Sequence, residues 1–222
     1  MENIKENLER IWEELPSGMR LVAVSKFHPV EALREAYDAG QRRFGESRVQ
    51  ELLEKEPKMP ADVEWHFIGH LQTNKVKQLV GHVSLIESVD SERLLTLIDR
   101  ESAKARVTTH VLMQLHVARE ETKFGFSPDE LLDYFRSRRF ETLTNTHIDG
   151  VMGMASNTDD QVRIKEDFHR IRATYDEILR LCPDLRGFET ISMGMSHDWP
   201  LAVEEGSNMV RIGTAIFGER EY

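Results

Sequence analysis

The sequence predicts an α/β fold: a single (β/α)8 barrel spanning residues 1 to 222, with an extra helix at its N-terminus. Three observations predict it. Eight short apolar segments alternate along the chain with stretches of helical period. Strands joined by crossover helices run parallel and bury both faces, which suits runs that are continuously apolar. The length of 222 residues fits eight such units closed on themselves, whereas an open doubly wound sheet usually has about five or six strands and a glycine fingerprint. Neither GxGxxG nor GxxxxGK[ST] occurs.

Residues 1 to 15 place Ile4, Leu8, Ile11 and Leu15 on one helical face, before a break at Pro16-Ser17-Gly18. The first repeating unit is the apolar run Leu21 to Val24, the turn Ser25-Lys26-Phe27-His28-Pro29, and a helix carrying Leu33, Ala36 and Tyr37 that ends at Gly40. Further strands are expected at about 42 to 45, 64 to 68, 83 to 87, 107 to 116, 146 to 152, 186 to 192 and 208 to 212. Helices are expected at about 47 to 55, 72 to 80, 91 to 105, 127 to 138, 159 to 181 and 197 to 205, with a short one after 213. No low-complexity linker interrupts this cadence, so no domain boundary is expected.

Composition narrows the function. Hydrophobic residues make up 40% and charged residues 31%, as expected of a globular chain. Lys plus Arg total 29 and Asp plus Glu 39, a net charge of 29 − 39 = −10, so a nucleic-acid footprint is not expected. Arg136-Ser137-Arg138-Arg139 falls late in a helix, where cations favour the dipole and solvent. The N-terminus is charged and helical, and no apolar run reaches the roughly 18 residues of a membrane span, which predicts a cytoplasmic protein with no membrane contact. The lone cysteine, Cys182, precedes Pro183 at a helix end and reads as a small buried apolar residue. His66 and His70 lack a third ligand of suitable spacing, so no metal centre is expected; His66 is assigned to an interior layer and His70 to the barrel mouth.

In such a barrel, chemistry belongs at the carboxyl ends of the strands, with phosphate favoured after strands seven and eight. Those strands run into Ser192-Met193-Gly194-Met195-Ser196 and Gly213-Thr214-Ala215, small hydroxyl-bearing segments whose backbone N–H groups can approach an anion. Lys26 follows Val22 and Val24 at a period of two, which points it into the mouth; a lysine in that position can condense with a carbonyl, or can simply be solvated. Arg211 alternates with Val210 and Ile212 and faces inward only if something satisfies it. An inward glutamate or a ligand atom would serve.

The segments AVSK (23 to 26), FGESRVQE (44 to 51), WHFIGHLQTNKVK (65 to 77), GVMGMAS (150 to 156), ISMGMSHD (191 to 198) and VRIGTAIFG (210 to 218) closely resemble the YggS/PROSC family of pyridoxal phosphate (PLP) homeostasis proteins. The resemblance covers the chain from Leu21 onward. It implies a barrel similar to the N-terminal domain of bacterial alanine racemase, with PLP held as a Schiff base on Lys26. It further implies that Arg211 faces the pyridine nitrogen, that Ser192, Gly213 and Thr214 hold the phosphate, and that Met193, Gly194 and Met195 line the nearby loop. His70 at the mouth and Ser47 complete the expected cofactor contacts. Ser47 stands where many members carry Asn, and His116 stands where the fifth strand often has Asn, so both put the polar contacts near the cofactor hydroxyl in question. The family buffers PLP without an established catalytic reaction, with apo PLP-dependent enzymes as expected acceptors and a monomer or weak dimer as the expected state. The alternative is a weak PLP-dependent racemase or transaminase. Racemisation needs acid and base groups on both faces of the substrate, and related racemases add a second domain and partner subunit to supply them; 222 residues filled by a barrel leave no room for that domain.

Overall fold

A computed structural model describes residues 3–119 and 124–219. Eight parallel strands close into a barrel in sequence order: β1 Arg20–Val24, β2 Arg43–Glu46, β3 Glu64–Phe67, β4 Leu85–Val89, β5 Thr109–Leu115, β6 Thr146–Gly153, β7 Thr190–Ser192 and β8 Met209–Ile212. Closure is made by β1 against β8, where Arg20 to Ala23 pair with Met209 to Ile212. The helices are α1 Ile4–Glu14, α2 Val30–Asp38, α3 Val49–Lys55, α4 Val76–Leu79, α5 Glu92–Ala105, α6 Pro128–Arg136, α7 Gln161–Leu181, α8 Trp199–Glu204 and α9 Thr214–Phe217. The (β/α)8 barrel with its extra N-terminal helix therefore stands as expected.

Local chemistry accounts for the element ends. The side chain of Asn3 accepts from the Glu6 N–H and caps α1, whose Ile4, Leu8 and Ile11 are buried. Asn7 ties this helix to the barrel by donating to the Ile216 carbonyl at 3.1 Å. Ser127 and Glu130 cap α6 reciprocally, and Asp160 caps α7 by accepting from Val162 and Arg163. Cys182 is buried at the end of α7, and burial pushes its thiol up. No helix among the described residues is long and apolar enough to cross a membrane.

Several boundaries depart from the sequence reading, among them the fifth strand, which begins at Thr109 rather than 107, and the helix expected to reach 138, which ends at Arg136. The fourth strand begins at Leu85 rather than 83, after a turn in which Gly81 takes a positive φ of 90°. The seventh is only three residues long, since Gly187 takes a left-handed φ of 74° inside the expected run. The helix expected at 72 to 80 splits into a 3-10 turn, Thr73–Lys75, and the four-residue α4.

Outward side chains pack beneath the helices in one large core, while Val22, Leu85, Leu112, Met152 and Met209 form a separate apolar cluster inside the barrel. Alternation then places polar residues above and below that cluster. Toward the carboxyl ends lie His66, Glu87, Ser192 and Arg211, all buried. Toward the amino ends lie Arg20, Arg43, Glu64, His110 and His147, at the first or second positions of their strands.

Candidate functional site

Lys26 follows β1, and its neighbours are clamped on both sides. Ser25 donates through its hydroxyl to Glu46 at 2.6 Å. Lys55 donates to the Ser25 carbonyl at 2.9 Å and to Glu46 and Glu51 at 2.7 Å each. Phe27 has a φ of 68°, a left-handed conformation that an aromatic residue holds at a cost of about 1–2 kcal/mol. Its N–H donates to Glu51 at 2.6 Å, and the Arg48 guanidinium lies 4.7 Å from its ring centroid. The clamp fixes the backbone from which the lysine projects.

Glu46 is fully buried, and burial raises its pKa to about 7 against the opposing pull of Lys55 and Ser25. A carboxyl raised above its unfolded value of 4.5 binds its proton more tightly in the folded chain. Its stabilising contribution is present below pH 4.5 and is lost as the pH rises through about 7, a change of roughly 3 kcal/mol. Urea melts across this window are expected to show that decline in the wild type and to lose it in Glu46→Gln. Parallel pH profiles for the two proteins would refute it.

Lys26 opens onto a pocket of about 270 Å³ at the carboxyl ends of the strands, whose wall also carries Met195, Ser196, His197, Arg211, Gly213 and Thr214. The loop after β7 is folded compactly against α8. Gly194 sits at φ 100°, where a Cβ would lie 2.8 Å from the Ala202 Cβ and 2.9 Å from the Trp199 Cα. Its carbonyl accepts from the Arg211 N–H at 3.0 Å, and the Met195 N–H donates to Asp198 at 2.6 Å. The Gly213 N–H donates to the Ser196 hydroxyl at 3.3 Å, so the two loops meet at the rim. With only four residues α9 has little macrodipole, and an anion here depends on individual donors.

Beneath the pocket lies a closed polar layer. Arg211 donates to the Ser192 hydroxyl at 2.5 Å and to the Gly153 carbonyl at 3.0 Å; Ser192 donates to Glu87 at 2.5 Å. Glu87 also meets His66 at 2.7 Å and approaches Arg211 at 3.6 Å. Burial pushes the Glu87 carboxyl up, yet His66, Arg211 and Ser192 outweigh it and hold the group below its ordinary value. Both readings of Arg211 thus have a structural basis: an inward glutamate satisfies it, and it lines the pocket.

The ten residues expected around a cofactor do not all gather here. Lys26, Met195, Arg211, Gly213 and Thr214 share the pocket wall. Ser192 and Met193 are fully buried, the serine in the polar layer and the methionine in the outer core, and Gly194 shapes the loop through its backbone. Ser47 and His70 line a neighbouring cavity of about 280 Å³ with Arg48 and Lys75, where His70 meets Asp90 at 3.0 Å and stacks on Phe124 at 3.8 Å between ring centroids. His116 follows β5, its backbone N–H bonded to the Phe126 carbonyl. Sequence reasoning placed Ser196 in the anion-binding loop without assigning it a contact, and missed Glu87 and the Glu46–Lys55–Glu51 cluster. The signal for Glu87 was present, as an acid in LIESV shares the inward face of Leu85.

Comparison with known proteins settles the family. The chain matches the alanine racemase N-terminal domain family over residues 1–221. A pyridoxal phosphate homeostasis protein of Aquifex aeolicus is 38% identical over 230 residues, covering 100% of this chain and 97% of that protein. The chain belongs to the pyridoxal phosphate homeostasis protein family. PipY of Synechococcus elongatus superposes with a TM-score of 0.92 at 37% identity in its structure without PLP, and 0.88 at 36% in its structure with PLP bound; each comparison covers 97% of this chain and 100% of PipY. Alanine racemase of Clostridium difficile shares the fold, with a TM-score of 0.78 at 16% identity, over 99% of this chain and 57% of the racemase.

Proposed function

We propose that this member of the family binds PLP in the Lys26 pocket and acts as a carrier in PLP homeostasis, holding the cofactor as a Schiff base and yielding it to apo-enzymes. The observation that carries the reading is that Lys26 shares one pocket wall with Ser196, Gly213 and Thr214. An amine that can condense with an aldehyde, losing water, thus stands across from hydroxyl and backbone donors that suit a phosphate. The serine of this cradle is Ser196 rather than Ser192, whose hydroxyl is engaged with Glu87 and Arg211. Arg211 offers donors to a pyridine nitrogen and, being protonated at all working pH values, leaves that nitrogen unprotonated. PLP supplies an electron sink when its ring nitrogen is protonated, and a guanidinium partner weakens that property, which favours holding over turnover.

Added PLP is expected to turn the protein yellow, and borohydride reduction to fix the label on the peptide containing Lys26. Lys26→Ala should retain no label. A wild-type protein that stays colourless would overturn the proposal. One observation favours a second reading: His197 lies on the same wall as Lys26, so an imidazole and an amine, the side-chain types that serve as general acid and base, face one pocket. Exchange of amino-acid α-protons in deuterated water, present in the wild type and absent in both Lys26→Ala and His197→Ala, would support slow racemase or transaminase chemistry.

A further inference from the structure

At the opposite, amino-terminal mouth of the barrel, three side chains converge that the PLP reading does not use. His110 is the second residue of β5, His147 the second residue of β6, and the two strands pair in register at these positions. Asp149 lies two residues beyond His147, where β6 slips by one residue against β5: Val111 pairs with Ile148 and Leu112 with Gly150, leaving Asp149 as the extra residue of a bulge. Alternation puts His110 on the inward face with Leu112. The rings of His110 and His147 stand 5.4 Å apart between centroids. Asp149 Oδ1 lies 3.0 Å from His110 Nδ1 and 2.5 Å from His147 Nδ1. One ligand atom from each of the three falls within 4.8 Å of the others.

We infer that His110, His147 and Asp149 form a binding site for a divalent transition-metal ion at the amino-terminal mouth of the barrel. Two imidazoles and a carboxylate are donors that suit Zn²⁺, Ni²⁺, Co²⁺ or Cu²⁺, and hard-cation sites by contrast use oxygen ligands. Donors bound at about 2.0–2.1 Å around one tetrahedral ion lie roughly 3.3 Å from one another, so the carboxylate oxygen must separate by about 0.3 Å from His110 Nδ1 and by about 0.8 Å from His147 Nδ1 to admit an ion in place of the shared protons. Three protein ligands leave a position for water, and the half-exposed histidines, 47% and 42% accessible, give the ion a path from solvent. The nearby cations have partners of their own: Arg20 donates to Thr190 and Asn208, and Arg43 pairs with Glu64 at 2.7 Å. Glycine is required at 150 for the bulge that sets Asp149 beside the histidines. Its φ is 152°, and a Cβ there would lie 1.9 Å from the Thr190 carbonyl oxygen.

The test is calorimetric titration of chelator-treated full-length protein with Zn²⁺. One equivalent is expected to bind the wild type, with affinity falling in His147→Ala and His110→Ala by more than the roughly 10-fold that loss of even an outer partner costs a metal site. His169→Ala, which removes a surface histidine paired with Glu205, should bind as the wild type does. Bound Cu²⁺ should show coupling to two imidazole nitrogens by electron paramagnetic resonance, and to one in His110→Ala. Failure of the wild type to bind one equivalent would overturn the inference, as would wild-type binding by both histidine variants.

Discussion

Replacing Arg211 with alanine is expected to destabilise the protein by about 3–5 kcal/mol, because it removes the guanidinium from beside the buried Glu87 carboxylate, leaving it only His66 and Ser192 as partners. The size of the effect comes from a buried charge left under-compensated rather than from the worth of the pair itself. A double variant, Arg211→Ala with Glu87→Gln, should therefore recover part of the loss, and urea melts of the two single variants and the double variant measure the coupling. The spectrum of added PLP separates the ion-pair role of the guanidinium from the proposed contact with the cofactor ring. A colour and affinity unchanged in Arg211→Ala would confine the arginine to the ion pair, while a shift would place it against the ring. Equal stability of Arg211→Ala and wild type would contradict the buried pair.

Gly150→Ala is expected to be comparably severe, about 4 kcal/mol or more, since a methyl group cannot share space with the Thr190 carbonyl and the backbone must move. In a chain of this size that loss lowers Tm by roughly 8–16 °C. Gly81→Ala is the informative control. It too has a left-handed φ, 90°, but no atom lies within 4 Å of the position its methyl group would take, so only the backbone strain of about 1–2 kcal/mol remains. Similar Tm losses for the two variants would show that conformation, not the close approach of β7, dictates glycine at 150.

The barrel is legible in the sequence because its evidence is repeated eight times: each apolar run and each helical period carries the same message, and an error of two residues at the fourth strand changes nothing in the topology. The site is legible in part. Lys26 and the glycines and hydroxyls after β7 and β8 stand out because strand ends in this fold carry chemistry. Ser192 reads as a rim residue because its position depends on where β7 stops. The strand includes Ser192, whose side chain still follows the alternation inward, and the loop brings Ser196 to the rim four residues later. The partner of Arg211 requires knowing which of eight strands faces β8 across the interior, a long-range fact that no local pattern encodes. Glu51 and Lys55, four apart on α3, read as an ordinary surface pair. Their burial behind Lys26 follows from the packing of α3 against the first two strands.

The apolar plug of Val22, Leu85, Leu112, Met152 and Met209 divides the cylinder into two shallow cups set back to back. A molecule admitted at one rim has no exit at the other, so loading and unloading share a single doorway. On the carrier function proposed above, an acceptor comes to the rim where Lys26 stands, and anything seated there blocks arrival and departure alike.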